Sequence, residues 1–81
     1  MITVLQKGNV KKRIITSKGI GPASGQSYQT IIQVADKKGR FSGLGYEGKP
    51  VYSYGICKAR SIHKGAIRSY LAQGFRIKEE P

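Results

Sequence analysis

The stretch 28–46, YQTIIQVADKKGRFSGLGY, decides the fold, because its hydrophobic pattern and its turn residues agree. Residues 28–35 alternate with the period of two that is typical of a strand with one buried face. Residues 36–39 break that pattern with an acid, two lysines and a glycine, and extended sequence resumes at Arg40. The stretch therefore predicts a β-hairpin with a basic tip.

Two glycines on the returning strand give this hairpin two interpretations. Gly43 and Gly45 lie two positions apart, so we expect them to share one face and to leave it without side chains. A bare face beside a basic tip lets a sheet approach a phosphate backbone. In the alternative interpretation the glycines only relieve crowding and the lysines keep an exposed turn soluble.

The segments before the hairpin are also β-prone. Residues 2–5 and 10–16 are separated by the turn signal Gly8-Asn9, and they predict either one hairpin or one long bent strand. Residues 17–27 hold three glycines and a proline, which indicates a loop. Loops of about a dozen residues in small domains are usually functional or disordered.

A helix is predicted after the hairpin. Apolar residues recur at three- and four-residue steps from Ile56 to Leu71, and the cations fall on the other side. We expect Gly74 to stop the helix, and Gly65 inside it to mark a close contact with the sheet. Residues 47–55 either extend the hairpin or open the helix, and residues 75–78 predict a last short strand.

Together these elements predict an α+β fold. We expect a three- to four-stranded antiparallel sheet packed on one face by a single C-terminal helix, which is the smallest arrangement that buries both apolar surfaces. The sequence predicts one basic nucleic-acid-binding domain over residues 1–78, followed by a tail at 79–81.

Charge is the strongest functional signal. Fifteen lysines and arginines face four acids among 81 residues, which gives a net charge of +11 and an isoelectric point near 10.2. A domain with this charge repels itself, and a polyanionic partner relieves that repulsion. Nucleic acid is therefore the expected partner.

An anionic membrane surface is a weaker candidate. Membrane-binding helices use bulky apolar anchors, whereas this chain has no tryptophan and two phenylalanines. The sequence contains no run of about 18 apolar residues, and residues 1–10 resemble neither a secretory signal nor a transit peptide. One cysteine, Cys57, cannot form an internal disulfide, so we expect an intracellular protein.

The sequence predicts no catalytic site, cofactor, metal or small-molecule substrate. His63 is the one histidine, and we expect it at the polar boundary of the helix or facing nucleic acid. Cys57 lies six residues before it, which places the two side chains on different helix faces and argues against a nucleophile pair. Cys57 is interpreted as a small apolar residue.

The aromatic residues divide into two groups. Packing is the expectation for Tyr28, Phe41 and Tyr70, because a core this small needs them. For the other three tyrosines, packing and base stacking remain equally open. They are Tyr46, Tyr52 and Tyr54.

Several short motifs, in this order, resemble the amino-terminal domain of the small-subunit ribosomal protein S-five family. They span a glycine-rich loop, an aromatic residue that leads into an apolar strand, a G-D-x-x-G-R type turn, a glycine-tyrosine strand and a basic helix start. The residues are Lys18-Gly19-Ile20-Gly21, Tyr28, residues 36–40, Gly43-Leu44-Gly45-Tyr46, Lys58-Ala59-Arg60 and Ala66-Ile67-Arg68.

This resemblance implies a fold similar to double-stranded-RNA-binding domains. It also implies docking on ribosomal RNA near the messenger entry and decoding region, beside neighbouring ribosomal proteins. The resemblance is divergent and covers that family's first domain, so we expect a chain without the second domain.

The leading hypothesis is a non-enzymatic RNA-binding protein that is a structural component of the ribosomal small subunit. The alternative is a small phage or bacterial DNA-binding or regulatory protein that uses a β-sheet and a helix, and an inhibitor of another protein is a third class. We expect a ribosome-associated location, with cytoplasm and mitochondrion both open. The predicted nucleic-acid-binding residues are Lys11, Lys12, Arg13, Lys18, Gly19, Gly21, Lys37, Lys38, Arg40, Gly43, Gly45, Lys49, Lys58 and Arg60.

One further expectation joins the loop 17–27 to the hairpin tip. Both are glycine-containing and basic, and a strand of eight residues connects them. Such a strand spans about 26 Å, so both of its ends are expected to reach phosphates on one folded RNA.

Overall fold

Six strands and one helix make up the part of the chain that the computed structural model describes, residues 1–18 and 27–79. In chain order they are β1 (Ile2–Lys7), β2 (Val10–Lys18), β3 (Ser27–Ala35), β4 (Phe41–Tyr46), β5 (Val51–Tyr54), α1 (Ile56–Ala72) and β6 (Arg76–Glu79). The strands form one antiparallel sheet in the order β4-β3-β2-β1-β6, and β5 also pairs with β3. The predicted α+β class is confirmed, but three or four strands were too few.

Two short strands account for the difference. β5 comes from the segment that the sequence left ambiguous, and β6 returns after α1 to pair with β1. β6 confirms the short strand that was predicted at residues 75–78, although it was not counted among the three or four strands of the sheet. Glu79, which was expected to begin the tail, lies in β6 opposite Val4.

The predicted central hairpin is confirmed by its turn. The backbone N–H of Asp36 donates to the carbonyl of Arg40 at 2.8 Å, and the Asp36 carboxylate accepts from the N–H groups of Lys38 and Arg40, both at 2.9 Å. Gly39 has φ 79°, a conformation that favours glycine. The aspartate and the glycine therefore fix the tip, as their turn chemistry predicts.

The first two strands form a second hairpin instead of one bent strand. Lys7 lies opposite Val10, so the turn has two residues, and Gly8 has φ 59°. The two hairpin turns lie at the same end of the sheet, because β2 starts where β1 and β3 end.

β4 and β5 run along the same edge of β3, one after the other. Tyr46 in β4 lies opposite Gln33, whereas Val51 in β5 lies opposite Thr30. Between the two strands, the Glu47 N–H still donates to the Ile32 carbonyl at 2.8 Å, and residues 48–50 leave the sheet. The edge of the sheet is therefore one strand with an interruption.

The alternation of side chains gives the sheet two different faces. On β2, Ile14 and Thr16 point to α1, since Ile14 is fully buried in the core and Thr16 bonds a histidine of that helix. Residues of the same strand on the other face include Lys11, Arg13 and Ile15. We call the first the covered face and the second the open face, on which no described element packs.

The hydrophobic core lies between the covered face and α1. It consists of Leu5, Ile14, Tyr70 and Phe75, and the last two rings meet edge-on at 5.2 Å between centroids. Gly74, at φ 98°, ends the helix and lets Phe75 turn back towards it. The predicted helix end is therefore confirmed.

The predicted helix orientation is also confirmed. Ala66 and Ile67 are partly buried against the core, whereas Arg60 and Lys64 are exposed. The expected contact of Gly65 with the sheet is wrong, because Gly65 is exposed and an added Cβ would have no neighbour within 4 Å.

His63 corrects another expectation, since it lies inside the molecule at 3% exposure. Its Nε2 is 2.8 Å from the Thr3 hydroxyl, and its Nδ1 is 2.7 Å from the hydroxyl of Thr16, which in turn lies 2.9 Å from that of Thr30. Buried polar groups require such partners. His63 therefore joins α1 to three strands instead of facing a ligand. Cys57, interpreted as a small apolar residue, is exposed.

Candidate nucleic-acid interface

The open face is organised in rows that cross the strands. In one row Val4, Arg13, Gln33 and Tyr46 lie side by side, because the register pairs each with the next. Val4 and Gln33 are buried at the two sides of Arg13. The middle of the open face is thus filled by its own side chains, and its exposed groups lie towards the edges.

Two cationic side chains of the open face, Lys11 and Arg13, lie over the ring of Phe41. The Arg13 guanidinium carbon lies 4.5 Å from the centroid of Phe41, and Lys11 Nζ lies 5.9 Å from it. Arg13 also donates from Nε and Nη2 to the Gln33 amide oxygen, the first at 2.9 Å. Stacking and hydrogen bonding limit the conformations of this arginine, so it presents its charge at a fixed place.

Three exposed tyrosines line the outer edge of the open face. Tyr46 lies opposite Gln33, and Tyr52 lies opposite Gln29. Tyr54 lies opposite Ser27, so all three share the face that carries Arg13. Their exposures are 50%, 69% and 71%. We call these three residues the tyrosine row.

A small cavity interrupts the tyrosine row. It has a volume of about 230 Å³ and lies where the chain leaves the edge of β3. The lining combines Gln29, Ile31 and Ile32 of β3 with Tyr46 and the excursion 47–50. The predicted site residue Lys49 therefore borders this cavity.

The other predicted basic residues of the hairpins lie at two ends of the sheet. Lys37, Lys38 and Arg40 are exposed at the hairpin tip, and Lys11 is near them at the start of β2. Lys18 lies at the opposite end, where it pairs with Tyr28. β3 has nine residues, so these two sets of cations are separated by about 30 Å. Gly19 and Gly21 fall outside the described residues.

Lys12 is placed differently from its neighbours Lys11 and Arg13. It lies on the covered side, where its Nζ is 2.5 Å from the Glu47 carboxylate and 4.8 Å from the centre of the Tyr70 ring. The Tyr70 hydroxyl donates to the same carboxylate at 2.9 Å. Lys12 therefore connects β2, the excursion after β4, and the helix.

These contacts alter two ionisation equilibria. The hydrogen bond from Lys12 lowers the pKa of the Glu47 carboxyl, against a smaller opposing effect of burial. Burial, with the nearby Glu47 carboxylate, raises the pKa of Tyr70 to about 12. Both shifts favour the charged carboxylate and the neutral phenol that the hydrogen bonds require.

The glycines of β4 do not follow simple alternation. Phe41 and Tyr46 both belong to the open face although they are an odd number of residues apart, because the register shifts between them. Gly43 and Gly45 lie inside this irregular segment. The expectation that they share one bare face therefore stays a prediction.

The remaining predicted residues lie on the helix. Lys58 and Arg60 are exposed on α1, and Arg60 lines a shallow groove together with Lys64 and Arg68. This groove lies on the outer surface of the helix, away from the sheet. The structure thus brings Lys11 and Arg13 together with the hairpin tip, and it separates them from Lys12, Lys18 and the helix cations.

The sequence reasoning missed the amides and apolar residues of the open face. Gln29, Ile31 and Gln33 occupy alternate positions of β3, so the period of two already groups them on one face, but they were not named as binding residues. Arg76 was also missed, because its place beside Gln6 depends on β6.

Other kinds of site find no support in the described residues. Residues 1–18 and 27–79 contain no group of three side chains that could hold a metal ion. The helix in this part of the chain is too short and too polar to cross a membrane. Comparison with family models, with curated proteins and with solved structures gives no match.

Proposed function

We propose that this chain is a non-enzymatic RNA-binding protein. The observation that supports it is the state of its charges: twelve of the fifteen lysines and arginines are exposed. Among the described residues one ion pair is found, between Lys12 and Glu47. So many uncompensated cations on a small domain favour a polyanion that releases counterions on binding.

We further propose that the RNA is ribosomal and that the protein works in the small ribosomal subunit, beside other ribosomal proteins. The described residues that carry the family resemblance lie on suitable elements: 36–40 form a turn, 43–46 lie in a strand, and 58–60 lie near the start of the helix. A sheet with one covering helix is compatible with a double-stranded-RNA-binding-like domain. Recognition would then rest on phosphates and on RNA shape. The cellular location would be the ribosome of the cytoplasm or of an organelle.

The hairpin tip supplies the first test. We expect structured RNA to bind with a log-log salt slope near −5 if about six phosphates are neutralised. Replacing Lys37 and Lys38 by alanine should weaken every structured RNA about equally and reduce that slope by nearly two units. Fluorescence anisotropy titrations at several salt concentrations measure both quantities. If the tip only keeps the protein soluble, affinity and slope stay unchanged.

A matched control comes from the other side of the molecule. Lys64→Ala with Arg68→Ala removes the same charge from the outer surface of the helix. If the tip is the phosphate-binding part, this variant should keep a slope close to that of the unmodified protein. Equal losses in the two variants would indicate binding by net charge alone.

Duplex DNA of equal length and cosedimentation with ribosomal particles complete the test. Tighter binding to DNA than to RNA would favour the regulatory alternative, and absence from ribosomal particles would refute the ribosomal assignment. No binding to any nucleic acid at low salt would overturn the proposed function.

A further inference from the structure

We propose that the tyrosine row on the open face stacks on unpaired bases, and that the cavity between Tyr46 and Tyr52 receives one base. This inference rests on the proposed function and specifies the part of the RNA that the sheet contacts. The ligand is a single-stranded segment, whereas the basic tip contacts phosphates of any strand.

The register of the sheet spaces the tyrosines along one edge. Tyr52 and Tyr54 are alternate residues of β5, so they lie about 7 Å apart on the same face. The partners of Tyr46 and Tyr52 on β3 are Gln33 and Gln29, which are separated by about 13 Å along the strand. Between them Glu47 donates its backbone N–H to the Ile32 carbonyl, residues 48–50 then leave the edge of β3, and the cavity lies at that gap.

The lining of the cavity fits a nucleobase. Tyr46 and Ile31 offer apolar surfaces for the faces of a flat ring, and the Gln29 amide offers one donor and one acceptor group for its edge. A volume of about 230 Å³ is below the roughly 300 Å³ at which sites for larger ligands begin. One base therefore suits the cavity better than a bulkier molecule.

The charged residues around the tyrosine row are mainly cations, which favours a polyanionic ligand. Arg13 and Lys11 lie on the open face beside the row, and exposed Lys49 borders the cavity. Glu47 also borders it, but its carboxylate is bonded to Lys12 and Tyr70. Phosphates that flank a stacked base therefore meet cations, which is the combination that single-stranded nucleic-acid sites use.

Exposure of the rings supports a ligand over packing. At 50% to 71% exposure these tyrosines contribute little to the core, yet all three lie on one face in paired strands. Aromatic side chains on a sheet that stack on unpaired bases are a common mode of RNA recognition.

The experiment uses two oligomers of equal charge. One is an oligouridylate of about eight nucleotides, the length of site that one small sheet covers, and the other is its abasic counterpart. We expect the protein to bind the first oligomer more tightly. Because the chain has no tryptophan, its fluorescence comes from its five tyrosines, and we expect this fluorescence to be quenched on binding. Equal affinity for both oligomers would overturn this inference but leave phosphate binding intact. If neither the oligomers nor structured RNA bind, the proposed function itself is overturned.

Variants of one tyrosine separate stacking from charge. Tyr52→Ala should weaken oligouridylate binding roughly 5- to 150-fold, and Tyr52→Phe should change it less than about twofold, because phenylalanine keeps the ring. Neither variant should alter the affinity for the abasic oligomer. If Tyr52→Ala does not fold, Tyr54→Ala decides by the same measurements, and unchanged uridylate affinity in the folded variant contradicts the inference.

Discussion

The two faces of the sheet use neighbouring residues for different purposes. Ile14 points to the covered face and is fully buried, while Ile15 points to the open face and is half-buried. Lys12 pairs with the Glu47 carboxylate on the covered side, while Arg13 bonds an amide and contacts an aromatic ring on the other side. A single step along β2 therefore separates residues that hold the fold together from residues that are available to a partner.

Both faces of the sheet depart from the usual pattern of apolar residues inside and polar residues outside. The covered face buries His63 with three threonines, and the open face exposes three tyrosines. A buried polar network is stable only when its members are paired, and it then helps to fix one arrangement of helix and sheet. Exposed aromatic rings give no comparable stability to the monomer. This difference is consistent with our proposal that the open face contacts the partner.

The largest expected effect on stability comes from replacing the two neighbouring isoleucines of β2, one on each face of the sheet. Ile14→Ala removes methyl groups from a fully buried site and should lower the free energy of unfolding by about 3 kcal/mol. Ile15→Ala, one residue later on the open face, should cost only about 1 kcal/mol. Urea denaturation of both variants measures the difference. Similar losses would mean that the open face is packed in solution as tightly as the covered face.

Local signals were sufficient for most of the fold. The central hairpin was predictable because Asp36 and Gly39 fix the turn by their own chemistry, and the helix was predictable from its apolar period. β5 was not, because its four residues follow Pro50 and lack a clear alternation, so its existence depends on pairing with the distant β3. Strand number is a tertiary property here, and the sequence pattern does not contain it.

The position of His63 was predicted from the polarity of histidine, although the helical period pointed to the buried side. It lies four residues after Ala59 and seven before Tyr70, so the helical period already placed it on the buried side. The usual preference of histidine for polar surroundings suggested the boundary instead. Threonines on three strands supply that polarity inside the protein, and no local rule finds them.

The candidate site was predictable only in its charge. In the run KKRII both Ile14 and Ile15 are apolar, so the sequence leaves open which of the two faces the core. The same ambiguity hid the separation of Lys12 from Arg13. The tyrosine row depends on the pairing of β4 and β5 with β3, which no composition or spacing reveals.

A smaller effect is expected at the outer surface of the helix, where the covered layer ends. Gly65 has ordinary helical geometry, and an added methyl group would meet no neighbour within 4 Å. Gly65→Ala should therefore raise the free energy of unfolding by roughly 0.5–1 kcal/mol, because glycine loses more backbone entropy on folding. Thermal unfolding measures the gain, and Ser61→Ala on the same surface is the control. A loss of stability at Gly65 would place an unrecognised contact on that side of the helix.

The smallest effect compares Lys12 with Arg13 by pH. The hydrogen bond from Lys12 lowers the pKa of Glu47 below its usual 4.5, so as pH falls the unfolded carboxyl takes up its proton before the folded one. The stability that this carboxylate contributes is therefore complete above about pH 4.5 and is lost as pH falls through the folded pKa. Because Glu47 is 43% exposed, Glu47→Gln should lower the free energy of unfolding by under about 1 kcal/mol at neutral pH, and this difference from the unmodified protein should shrink in acid.

Arg13→Ala is the control, because it disrupts a contact with an amide that does not titrate, so its effect on stability should stay constant over the same pH range. Urea denaturation between neutral pH and pH values below 4.5 separates the two variants. A constant Glu47→Gln effect would show that the loss does not arise from the charged carboxylate and its contact with Lys12.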